Sequence, residues 1–195
     1  MSFRLIGLTG GIAAGKTTVA SLIRAHGIPV LNLDEIGKEI TGPHLATLLE
    51  KATGTSVMAH GQIDRAKLRA LIFSNPEIRK AVEQVLHPLI LQEFKTRCDA
   101  LQKEGHAIVV CEAALLVDSG HYHDMDELVV VTATDTARKK RLGERDKIEA
   151  ELIEQIFSHQ TSDAEKIKVA TTVITNDGSR EHLKAQVDAV VMSWK

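Results

Sequence analysis

Apolar and polar positions follow two rhythms along the 195 residues. Short apolar runs, FRLIGL (3–8), IPVLNLD (28–34), AIVVCEA (107–113), ELVVVTA (127–133) and the weaker TTVIT (171–175), have the length and β-branched content of buried strands. Between them, apolar residues recur at helical spacing over 17–27, 35–51, 65–73, 76–104, 135–145, 149–160 and 180–193. Strands alternating with helices predict an α/β fold, a five-stranded parallel sheet with helices on both faces. The helical stretch between the second and third strands is too long for one crossover. It predicts a helical lobe at about 40–100 inserted into a single domain whose core is about 1–39 and 101–195.

Composition narrows the function classes. No apolar run approaches the roughly 20 residues that span a bilayer, and the MSFRLIGL start has no secretory pattern. A cytoplasmic protein with no membrane partner is expected. A net charge of -2 and only 3% aromatic residues supply neither the basic surplus nor the stacking platform of a nucleic-acid binder. Cys98 and Cys111 have the spacing of neither a zinc knuckle nor a redox pair and are expected to be reduced. HYHD (121–124) reads as loop rather than as a zinc site.

The strongest chemical signal is Gly10-Gly-Ile-Ala-Ala-Gly-Lys16-Thr17, which matches G-x-x-x-x-G-K-[ST] between a strand and a helix. Such a loop turns successive N–H groups onto phosphate oxygens, helped by the helix N-terminus. The set expected to contact a nucleoside triphosphate is therefore Gly11, Ile12, Ala13, Ala14, Gly15, Lys16, Thr17 and Thr18, and the triphosphate is ATP by the resemblance given below. Lys16 would reach the β and γ phosphates, and the Thr17 hydroxyl would ligate Mg2+. Asp34, at the end of the second strand, is either a base that takes a proton from an attacking hydroxyl or a helix cap. Glu112 ends the third strand and either holds the metal through water or faces solvent. Arg138, Arg141 and Arg145 recur at helical spacing in ARKKRLGERD. They read as a solvated face, a nucleic-acid contact, or a lid of about 138–160 whose arginines neutralise a transferring phosphoryl group.

Together these segments resemble dephospho-CoA kinase over nearly the whole chain. LTGGIAAGKTT, Asp34 followed by TGP (41–43), GQIDRAKLRALIFSNP (61–76), LHPLI (86–90), ALLVD (114–118), RLGERD (141–146), SHQ (158–160) and VITNDG (173–178) occur in that order. The resemblance implies a P-loop kinase with a helical substrate lobe and a small lid. It also implies ATP-dependent phosphorylation of the ribose 3′-hydroxyl of dephospho-CoA, the last step of coenzyme A synthesis. By position it makes Asp34 the base, places Arg141 and Arg145 over the phosphates, and brings Asn176 and Gly178 to the ATP adenine. Lys38, Arg65, His87 and Leu115 would contact dephospho-CoA. A monomer is favoured. The sequence departs from the family pattern at Asn32 (for the first Asp of D-x-D), Lys38 (for Arg), Ala114 (for Pro), Asp118 (for a longer acid) and Thr171 (for Asp). Alternatives are a nucleoside or nucleoside monophosphate kinase of the same fold, or a nucleotide-binding regulatory protein with weakened catalysis.

Overall fold

The computed structural model describes residues 3–40, 43–59, 62–146 and 162–194. The expected helix 149–160, lid residues 147–160, SHQ, Thr41, Gly42 and Gly61 lie outside the described residues. The chain divides into two compact units, Met1–Asn32 with Leu101–Lys195, and Leu33–Ala100.

The first unit is built on a five-stranded sheet of β1 (Arg4–Gly10), β2 (Val30–Asn32), β5 (Ile108–Glu112), β6 (Glu127–Thr132) and β7 (Thr172–Thr175), in the order β2-β5-β1-β6-β7. Every pairing in it is parallel. Ile6, Leu8, Val110, Val129, Val131 and Ile174 project to one face and pack with α1 (Lys16–Ala25) and the last helix, α8 (Arg180–Trp194). The alternate residues Val109, Cys111 and Val130 are buried too, which is why the strands read as continuous apolar runs rather than as an alternation. The register sets Leu8 opposite Glu112 and Gly10 opposite Val131, so the phosphate loop leaves the central strand at the sheet's carboxyl edge, where ligands of such folds bind.

The C-terminal return is fixed by side chains. Thr171 donates its N–H to the Leu128 carbonyl at 2.9 Å and accepts the Leu128 N–H on its hydroxyl at 3.0 Å. That gives this departure from the family pattern a structural task, setting the register of β7 on β6. The helix α7 (Asp163–Lys168) precedes it, capped by Ser162, whose hydroxyl accepts the Glu165 N–H. Ser162-Asp-Ala-Glu165 is a capping box, a start signal that the helical periodicity did not register.

The second unit holds α2 (Leu33–Glu39), α3 (Pro43–Thr53), a small antiparallel pair β3 (Met58–Ala59) and β4 (Gln62–Ile63), α4 (Arg65–Ser74), and α5 (Pro76–Lys103), which runs on to the first unit's boundary. Leu45, Leu49, Val57, Leu68 and Val82 form its core. Asp64 caps α4 by accepting the Lys67 N–H, and Asn75 accepts those of Glu77 and Ile78 at the start of α5. Pro76 in the next position lacks only an N–H that has no intrahelical partner. The expected single helix 35–51 is instead two helices, α2 ending at Glu39 and α3 beginning at a proline, a residue that starts a helix well. Pro43 opens α3 accordingly.

Burial, with Asp99 adding to it, pushes the Cys98 thiol up to about 11, so it stays protonated at neutral pH. Ile23 of α1 is 1% exposed in the core shared with α8. Ile23→Ala should lower unfolding stability by about 2–5 kcal/mol in urea titrations, whereas Met192→Ala, at a residue 63% exposed, should change it by less than about 0.5 kcal/mol.

Candidate active site

The phosphate loop is held by side chains that donate to its carbonyls. The Lys16 ammonium donates to the carbonyls of Gly10 (2.8 Å) and Gly11 (3.2 Å). Arg138 Nε donates to Ile12 O (2.9 Å), Arg141 Nη1 to Ala13 O (3.4 Å) and Asn176 Nδ2 to Ala14 O (2.8 Å). Every carbonyl from Gly10 to Ala14 is thus tied to a cation or an amide. A trans peptide points its N–H opposite its C=O, so tying the Ile12 and Ala14 carbonyls turns the N–H groups of Ala13 and Gly15 the other way. Both residues line a cavity of about 280 Å³ with Lys16, Thr17, Thr18 and Arg141, and a row of amides with this orientation makes an anion site. Gly15 is required for it: its φ is +105°, and a Cβ there would stand 2.1 Å from Asn176 Nδ2.

Thr17 and Glu112 come together below the loop, with the threonine hydroxyl 3.5 Å from Glu112 Oε1. Glu112 is 3% exposed. The solvent-facing alternative for this carboxylate is therefore excluded by its burial at the end of β5. A hydroxyl beside a buried carboxylate is a set of hard oxygen donors, which suits Mg2+.

Asn176, Asp177 and Arg141 form one brace. Arg141 Nη2 donates to Asn176 O at 2.6 Å, and Asp177 accepts the Thr134 N–H at 2.6 Å just ahead of α6 (Asp135–Asp146). The NDG segment therefore ties the loop to the start of α6. Gly178 follows, packed near His182. Arg141 lines the loop cavity. Arg138 does not share its role: it is 6% exposed, with Nη1 bonded to Asp163 (3.2 Å) and Asp135 (3.4 Å). Its expected place among lid arginines is corrected to one behind the loop. The Arg145 side chain lies outside the described residues.

The acceptor-side candidates Asp34, Lys38, Arg65 and His87 all fall in the second unit. Asp34 is corrected from a strand end to the first turn of α2, because β2 stops at Asn32. Lys38 and Arg65 meet, the Arg65 guanidinium donating to the Lys38 carbonyl. Arg97 grips both Glu39 (2.7 Å) on α2 and Glu93 (2.8 Å) on its own helix, and these two carboxylates raise its pKa. A Cβ on Gly37 would lie 3.0 Å from Ile90 Cδ1, so α2 sits close against α5. His87 lines an open cleft with Lys80, Glu83, Gln84 and Pro88. Pro88, inside α5, has no N–H for the Gln84 carbonyl, which leaves a polar group on that wall. Leu115 lies in the first unit, exposed in the turn after β5. Sequence reasoning missed Asp163 and the tie that Asp177 makes to Thr134, because these partners lie 25 and 43 residues away along the chain.

The dephospho-CoA kinase family model matches residues 4–182. A dephospho-CoA kinase of Geobacillus kaustophilus is 36% identical over 97% of this chain and 96% of its own length. Among solved structures, a Thermus thermophilus protein superposes with a TM-score of 0.85 at 31% identity, covering 100% of both chains. Campylobacter jejuni dephospho-CoA kinase does so with a TM-score of 0.74 at 25% identity, covering 97% of this chain and 96% of its own.

Proposed function

The chain belongs to the dephospho-CoA kinase family, and from that membership we propose how its own residues carry out the transfer. The protein is a kinase that uses ATP for the last step of coenzyme A synthesis, phosphorylating dephospho-CoA. In our reading the acceptor is the ribose 3′-hydroxyl. The single observation that supports the donor side is the tying of every loop carbonyl from Gly10 to Ala14, which sets amides for a triphosphate.

Lys16 exchanges its loop carbonyls for β and γ phosphate oxygens, a better match for an ammonium because those oxygens carry full charge. Arg141, at the cavity wall, neutralises charge that grows on the transferring group. Mg2+ would be held by Thr17 directly and by Glu112 through water, and would supply positive charge to offset that of the triphosphate. The adenine lies along residues 176–178. Asp34 takes the proton of the attacking hydroxyl, and Lys38, Arg65 and His87 bind the acceptor from the second unit, with Leu115 as an apolar contact.

An ADP-release assay with ATP and Mg2+ over a panel of acceptors tests this reading. Dephospho-CoA should support turnover, adenosine and AMP should not, and Lys16→Ala should reduce the rate at least about 100-fold. Equal turnover on AMP would replace the reading with a nucleoside monophosphate kinase, and ATP binding with no transfer to any acceptor would leave a nucleotide-binding regulator.

A further inference from the structure

We infer that Arg138 is a positioning residue for phosphoryl transfer: it sets the phosphate loop from behind through the Ile12 carbonyl and is itself held in place by Asp163 and Asp135. This rests on the kinase reading above for its purpose, though not for its geometry. Arg138 and Arg141 are one helical turn apart on α6, yet they do different things. Arg141 lines the loop cavity. Arg138 is buried, absent from the cavity wall, and approaches the loop on its far side, donating through Nε to Ile12 O at 2.9 Å.

The fit against Gly11 shows how closely the guanidinium and the loop are matched. A Cβ on Gly11 would lie 2.2 Å from Arg138 Nη2 and 2.6 Å from Cζ, so the plane of the guanidinium fills the space that the missing side chain leaves. Its orientation is set from the other end. Nη1 reaches Asp163 Oδ2 at 3.2 Å and Asp135 Oδ1 at 3.4 Å. Asp163 is partly exposed, but its Oδ1 is shut off from solvent and has no hydrogen-bond partner among the described residues, and its Oδ2 faces the Arg138 guanidinium. Three groups thereby line up, an acid at the start of α7, a buried guanidinium on α6, and the carbonyl whose peptide carries the Ala13 N–H. A planar fork can make these contacts at once; an ammonium on a flexible stem cannot.

Removing the arginine alone leaves a partly buried carboxylate without this cation, which by itself destabilises. The two effects are separated by pairing the substitutions. Binding of a non-hydrolysable ATP analogue with Mg2+ is measured by calorimetry, and unfolding by a thermal scan, for the parent, Arg138→Met, Arg138→Lys and the double variant Arg138→Met with Asp163→Asn. The double variant should melt close to the parent, because no charge is stranded, and still bind the analogue about 10- to 100-fold more weakly, the range seen when an outer partner of a ligating group is lost. Arg138→Lys should recover part of the affinity. The KM for dephospho-CoA should stay within about twofold of the parent. If the double variant melts like the parent and also binds the analogue within twofold of it, the arginine is only a buried counter-ion and the inference is wrong. The analogue needs no acceptor, so a parent that fails to phosphorylate dephospho-CoA would sink the functional reading without deciding this one.

Discussion

Asp34→Asn should leave ATP binding almost unchanged and lower the rate of transfer by about 10²- to 10⁴-fold, the usual worth of a general base. The substitution keeps shape and volume and removes only the ability to take a proton. All the side chains that tie the loop carbonyls, Lys16, Arg138, Arg141 and Asn176, belong to the first unit, whereas Asp34 belongs to the second. Donor affinity therefore has no reason to follow it. Asp34 is exposed in the first turn of α2, so the exchange costs little in packing, and the variant should fold like the parent. Single-turnover transfer and ATP binding, measured side by side, decide the matter. Parallel losses in both would show that Asp34 shapes the site without acting as the base.

Arg141→Ala should lower kcat by about 10²- to 10³-fold, the loss expected when one donor to developing charge is removed. Its effect on ATP affinity should be smaller, since only the Ala13 and Asn176 carbonyls lose a partner. Arg141→Lys should restore only part of the rate, because a lysine keeps the charge and loses the fork. The contrast with Arg138 is informative: two arginines three residues apart should give opposite signatures, affinity for one and rate for the other. A variant of Arg141 that altered only the KM for ATP would remove it from the transition state.

The sheet was legible because its strands are buried on both faces, and unbroken β-branched runs such as Val109, Val110 and Val129, Val130, Val131 have few other uses. The phosphate loop was legible because its chemistry is local, a fixed spacing of glycines and one Lys-Thr pair. Periodicity failed where a break depends on one residue's backbone. Asn32 ahead of Leu33-Asp-Glu is a residue type that begins helices, yet the apolar run carried the strand reading through to Asp34. Pro43 likewise starts a new helix inside an apolar pattern that continues across it.

The site was less legible than the fold. Spacing placed Arg138, Arg141 and Arg145 on one helix surface, and three residues along a helix do share a face. What separates Arg138 from Arg141 is what each meets: Asp163 and the back of the loop in one case, the cavity and the Asn176 carbonyl in the other. Partners 25, 35 and 126 residues away leave no periodic trace. The Asn-Asp pair at 176–177 shows the same limit. The resemblance brings Asn176 and Gly178 to the adenine but carries no trace of the ties that the Asn176 and Asp177 side chains make to Ala14 and the start of α6.

This loop and this lobe are proposed to serve transfer to the 3′-oxygen of dephospho-CoA. Phosphorus NMR and mass analysis of the product made from ATP, Mg2+ and dephospho-CoA test it most directly. The expected product is coenzyme A, with one new phosphomonoester on the ribose 3′-oxygen and a stoichiometric yield of ADP, absent with Lys16→Ala. Recovery of unmodified dephospho-CoA, or a phosphate on any other atom of the acceptor, would contradict the account.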